Sequence, residues 1–190
     1  MAAKPTALID LKVIAQVAGL LALAIVLRFF EIPYPPAPFL KYDVSGVPLV
    51  LISLMSLRYA FSSLPLYYVV PVAMGSDPIG MAMKCLAEAS TFTPLALMCR
   101  RSKCSLTRKT SVAAALIASL ARIGVMSASN YIVTPYWLLW AGWIKALEEA
   151  RMITLGYLPH VAIFNLTLAL IVASISMTAY TVLKRSGYLR

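Results

Sequence analysis

The chain has 190 residues, 61% of them hydrophobic and 13% charged, with a formal net charge of +10 and a mean hydropathy of +0.83. A soluble domain carries about 25% charged residues, so a water-soluble globule and a disordered tail are both excluded. The excess of 17 Lys+Arg over 7 Asp+Glu marks the cytoplasmic loops of a membrane protein rather than a nucleic-acid surface.

Apolar stretches divide the chain into one domain, residues 1–190, with six predicted spans. The first covers about residues 11–30, with polar Lys12, Gln16 and Arg28 near its ends. It is too long for a signal-peptide core and reads as a retained helix. The segment Glu31-Ile-Pro-Tyr-Pro-Pro-Ala-Pro-Phe39 follows, and its four prolines predict a stiff extended outer loop. The second and third spans are predicted near 44–58 and 62–74, the third kinked by Pro65 and Pro71. Asp77 stands where it can cap the fourth helix, 78–99, which Pro94 interrupts. After the basic segment Arg100–Lys109, a fifth span covers 111–133 and ends at Thr134-Pro135. Residues 136–156 combine Trp137, Trp140 and Trp143 with Lys145, Glu148, Glu149 and Arg151, a pattern predicting a short interfacial helix. The sixth span covers 158–183.

An inside N-terminus places eleven basic residues on the cytoplasmic side: Lys4, Lys12, Arg58, Arg100, Arg101, Lys103, Arg108, Lys109, Lys184, Arg185 and Arg190. Four (Arg28, Lys41, Lys145 and Arg151) fall outside. Both termini are therefore expected in the cytoplasm.

Chemistry-bearing residues are few. Cys85, Cys99 and Cys104 form no CxxC pair and, with His160 as the sole histidine, predict neither a metal site nor a disulfide framework. His160 beside Pro159 reads as an interfacial cap, and the tryptophans as interface anchors. Lys84 and Glu88 lie four apart on one helical face inside a predicted span, with Arg122 in the next. Such charges usually face the bundle interior. Lys84 and Glu88 suit a ligand role and a self-neutralising pair equally, and Arg122 either snorkels or meets Glu88. Asn130 and Asn165 can read the edge of a polar heterocycle or serve as glue between helices. On the first helix, Ala15 and Gly19, with Ala18 and Ala22, offer small residues at helical spacing for close approach of another helix.

Several separated segments resemble the substrate-binding S subunits of energy-coupling-factor (ECF) vitamin transporters, the riboflavin-specific branch above all. Pro38-Phe-Leu-Lys-Tyr-Asp-Val-Ser-Gly-Val-Pro48 is similar to the family pattern P-(Y/F)-L-x-(L/M)-D-F-S-D-(I/V)-P. Met74-Gly-Ser-Asp-Pro-Ile-Gly80, Asn130-Tyr131 and Phe164-Asn165-Leu166 follow in family order.

The resemblance implies an all-α integral membrane protein of six helices in a prokaryotic cell membrane. It implies import of riboflavin, bound from outside, through a transmembrane coupling subunit and two cytoplasmic ATPases. It implies no enzymatic activity or cofactor, and the chain contains no GxxxxGK[ST] motif. Family binding positions carry over to Phe39, Leu40, Lys41, Asn130 and Asn165, and the docking face to Ala18 and Ala22. Tyr42 and Tyr131 adjoin those positions and are counted with the site. Lys84, Glu88 and Leu168 stand where the family usually has asparagine, glycine and lysine, and Gly46 replaces an aspartate. Lys84 then compensates for the missing lysine at Leu168, or the ligand is another vitamin, such as one whose negative charge Lys84 and Lys41 attract. A small membrane enzyme or a passive channel are the readings from other classes.

Overall fold

A computed structural model describes residues 11–102 and 107–188. Lys4, Lys103, Cys104 and Arg190 lie outside the described residues. Among the described residues six helices follow in order: α1 (Leu11–Leu27), α2 (Gly46–Met55), α3 (Leu57–Ala73), α4 (Pro78–Arg101), α5 (Arg108–Trp140) and α6 (Leu147–Arg185).

The centre of the bundle is α2, which packs against α1, α3, α4 and α6. Its sequence GVPLVLISLM is apolar all round, the pattern of a helix buried on every side, and eight of its ten residues are buried. At about 1.5 Å per residue it is too short to cross a bilayer alone. The expected 44–58 span is corrected accordingly: Ser56 adopts extended backbone, and α3 starts at Leu57 rather than near residue 62. The core packs Leu49, Ile52, Tyr67, Phe92, Leu95, Leu168 and Val172 together.

The proline-rich segment is not merely extended. It turns back as a small hairpin in which β1 (Ile32–Pro33) pairs antiparallel with β2 (Lys41–Tyr42). Tyr34 N–H donates to Leu40 O at 2.8 Å and Leu40 N–H to Ala37 O at 2.8 Å, closing the turn. Asp77 caps α4 as expected: its Oδ2 accepts the Gly80 N–H at 2.5 Å.

The region expected to be an interfacial helix is built differently. α5 runs through Pro135 to Trp140, and α6 begins at Leu147 and runs through Pro159. An internal proline costs about 3 kcal/mol. Packing offsets it here, because the extra turn of α5 returns Leu138 to the interior, where it is 4% exposed. His160 is consequently inside α6 instead of capping it, and its ring lies 6.3 Å from that of Tyr34. Cys99 is disulfide-bonded, against the cysteine expectation, while Cys85 is a free thiol.

α5 and α6 are long and apolar enough to cross a membrane; α1 and α2 are shorter apolar helices. Large apolar side chains point outward along the bundle, among them Leu116, Leu120, Ile132, Ile163, Ile171 and Val182. Arg100, Arg101, Arg108, Lys109, Lys184 and Arg185 sit at helix termini on one end of the bundle. The hairpin and the α3–α4 turn occupy the other.

Candidate ligand-binding site

A cavity of about 710 Å³ opens at the hairpin end. The hairpin contributes Phe39, Leu40 and Lys41, the α3–α4 turn Asp77, α4 Lys84, α5 Arg122, Asn130 and Trp137, and α6 Phe164, Asn165 and Leu168. Its volume falls in the range of small-molecule pockets, which are mostly apolar with a few placed polar groups.

The aromatic wall comes from the hairpin, α5, α6 and the α5–α6 connection. The Phe39 ring lies 6.3 Å from Trp137 and 5.2 Å, edge-on, from Tyr157. Trp137 meets Trp143 at 5.3 Å, and Phe164 is held by Tyr42 at 4.7 Å and Tyr34 at 5.8 Å. Trp137 and Trp143 thus line the cavity, Trp143 at its exposed rim with 64% exposure. Trp140 does face outward, at 67% exposure.

The polar floor is a buried chain of charges. Lys84 Nζ pairs with Asp43 Oδ2, and Glu88 Oε1 lies farther from it, at 3.9 Å. Arg122 Nη1 meets Glu88 Oε1 at 3.3 Å and donates to Thr91 Oγ1 at 3.0 Å. Arg122 Nε donates to Asn165 Oδ1 at 2.9 Å. Arg122 is 2% and Glu88 1% exposed, so Arg122 does not snorkel: it completes a pair that would be costly to break. Asp43 also accepts from Ser45 N–H at 2.8 Å and from the Ser45 hydroxyl, which shares a 2.6 Å hydrogen bond with the Tyr67 hydroxyl. Burial pushes the Asp43 carboxyl up. The Lys84 charge and the hydrogen bonds from Lys84 and Ser45 outweigh burial and hold it below its ordinary value.

The asparagines are partly committed. Asn130 Nδ2 donates to Met126 O at 2.8 Å and its Oδ1 accepts from Thr134. Asn165 Nδ2 donates to Val161 O at 2.8 Å. An amide has two donors and two lone pairs, so each keeps one of either kind for a ligand.

Three expected site residues stand elsewhere. Tyr42 backs the wall: it packs on Phe164 and shares a 2.7 Å hydrogen bond with Thr167. Tyr131 points outward at 54% exposure. Glu88 lies beneath the lining and acts through Lys84 and Arg122. Asp43, Asp77 and Trp137 line the cavity and were not singled out for it from sequence. Asp43 sits within the quoted loop motif, which was the available signal. On α1, Ala15, Ala18, Gly19 and Ala22 are all exposed along one face.

The chain matches no family model and no curated protein. Its helix arrangement is one found among solved transport proteins. It is similar to the structure of the S component of a bacterial ECF transporter, with a TM-score of 0.72, 20% identity, and coverage of 93% of this chain and 98% of that one. The chain therefore has the S-component fold.

Proposed function

We propose that this chain is the substrate-binding membrane subunit of an ECF-type transporter and that riboflavin is its ligand. The observation that carries the reading is the cavity of about 710 Å³, walled by Phe39, Trp137 and Phe164, within an S-component fold. A flavin has a flat apolar ring, a hydrogen-bonding pyrimidine-dione edge and a hydroxylated tail. The aromatic wall suits the ring, and the spare donors and acceptors of Asn130 and Asn165 suit the edge. Leu168 from α6 and Lys84 from α4 line the same cavity, in keeping with Lys84 taking over from the family's lysine.

In this reading six helices sit in the cytoplasmic membrane, with the short α2 buried among the others. The basic helix ends and both termini face the cytoplasm by the positive-inside bias, and the cavity opens outside. Two cytoplasmic ATPases supply the energy through a coupling subunit, and the exposed small-residue face of α1 receives that subunit. The chain itself catalyses nothing.

The test is an absorption spectrum of detergent-purified protein, followed by riboflavin titration of its tryptophan fluorescence. A flavin band near one equivalent, or saturable quenching below micromolar ligand, is the expected result. Folded protein with neither signal overturns riboflavin as the ligand.

A further inference from the structure

Four basic side chains reach the cavity or its floor, and each already meets a carboxylate. Arg28 and Lys41 both pair with Glu31, Lys84 with Asp43, and Arg122 with Glu88. Asp77 on the lining brings the acidic groups of this shell to four, equal to the basic ones. Among the described residues, the buried side-chain atoms without a hydrogen-bond partner include two carboxylate oxygens of this shell, Asp77 Oδ1 and Glu88 Oε2, and no lysine or arginine nitrogen. Those two unmet sites accept hydrogen bonds.

A site for a phosphate or carboxylate is built the other way. It aims charge-assisted donors or a helix N-terminus at the anion. Here the N-terminus of α4 does border the cavity, but Asp77 occupies it with its own carboxylate on the Gly80 N–H. An entering phosphate would have to displace a carboxylate from its cation or sit beside it as a second anion. Both are costly at the buried Lys84–Asp43 pair, whose side chains are 13% and 2% exposed.

From this charge arrangement we infer that the cavity discriminates by ligand charge. It admits a neutral or cationic aromatic molecule and rejects the phosphate ester of the same molecule, with Glu31, Asp43 and Asp77 as the specificity-determining residues. This inference rests on the reading of the cavity as the transport ligand site.

The experiment titrates the full detergent-purified chain with matched pairs: riboflavin and its 5′-phosphate, thiamine and thiamine monophosphate, pyridoxine and its 5′-phosphate. The expected result is a bound parent whose ester binds at least about a hundredfold more weakly, a difference of about 2.7 kcal/mol. Asp43→Asn removes one anion and frees Lys84, so the parent-to-ester ratio should fall at least about tenfold. Glu31→Gln reads the same ratio should Asp43→Asn fail to fold. An ester bound as tightly as its parent, or a ratio unmoved in both folded variants, overturns the inference. Riboflavin and its phosphate bound equally would overturn charge selection while leaving the riboflavin reading standing. Another parent preferred over its ester, with riboflavin silent, would do the reverse. Folded protein that binds no member of the panel overturns both.

Discussion

The Glu88 carboxylate lies against the α-carbon of Gly46, where a Cβ would overlap Oε2 and come within 3.2 Å of Val172 Cγ1. The start of α2 is thereby shaped around an acidic side chain from α4. Gly46 and Glu88, two of the four positions that depart from the resembling pattern, thus meet in space.

Gly46→Ala should therefore destabilise the folded protein by about 1–3 kcal/mol, the usual cost of overpacking. In a Glu88→Ala background that cost should shrink by about 1 kcal/mol or more, because neighbouring sites couple. Thermal unfolding in detergent of the four proteins of the cycle measures this. Strict additivity would show that the overlap is relieved elsewhere.

Arg122→Met should cost about 3–5 kcal/mol, since it leaves Glu88 buried without its partner. Arg122→Met combined with Glu88→Gln should recover more than half of that loss. The same unfolding assay decides it, and equal stability of the single and double variants would count against the pair.

Trp137 is the expected reporter of ligand, because it lines the cavity beside Phe39. Trp137→Phe should abolish most of the riboflavin-dependent quenching. Trp140→Phe should retain it, as Trp140 faces away. Asn165→Leu should weaken binding by about 1 kcal/mol or more. Unchanged affinity would remove Asn165 from the site.

Asp43 titrates below its ordinary value in the folded chain, so its unfolded form binds the proton more readily. Its contribution to stability is present above the unfolded value and lost as pH falls through the folded one. The stability gap between wild type and Asp43→Asn should be flat from pH 7 to about 5 and narrow progressively below that. A gap that widens on acidification would contradict the Lys84 pairing.

Ala18→Trp, on the exposed face of α1, should lower riboflavin uptake by cells that carry the complete transporter. Ligand titration of the isolated chain reads whether the variant is folded. Full uptake would place the docking surface elsewhere.

The sequence by itself determined the helical class, the bundle's apolar surface, the cap at Asp77 and the non-helical proline-rich loop, but not that loop's hairpin. Those features are local: hydrophobic runs, prolines and capping side chains act within a few residues of themselves. It also named part of the cavity lining, Phe39, Leu40, Lys41, Lys84, Asn130, Asn165 and Leu168, through a motif whose order along the chain could be compared. It could not place Lys84 on Asp43, 41 positions away, or Arg122 on Asn165, 43 positions away. Both pairings depend on how α4, α5 and α6 are rotated about their axes, and burial of the whole bundle sets that rotation. Tertiary packing likewise carried α5 past Pro135 and turned Trp137 inward, against a local signal for a helix end. Tyr131, six residues before Trp137 on the same helix, faces outward because 3.6 residues per turn puts the two on different faces. Which of them lines the cavity is fixed only once α5 has a neighbour on each side.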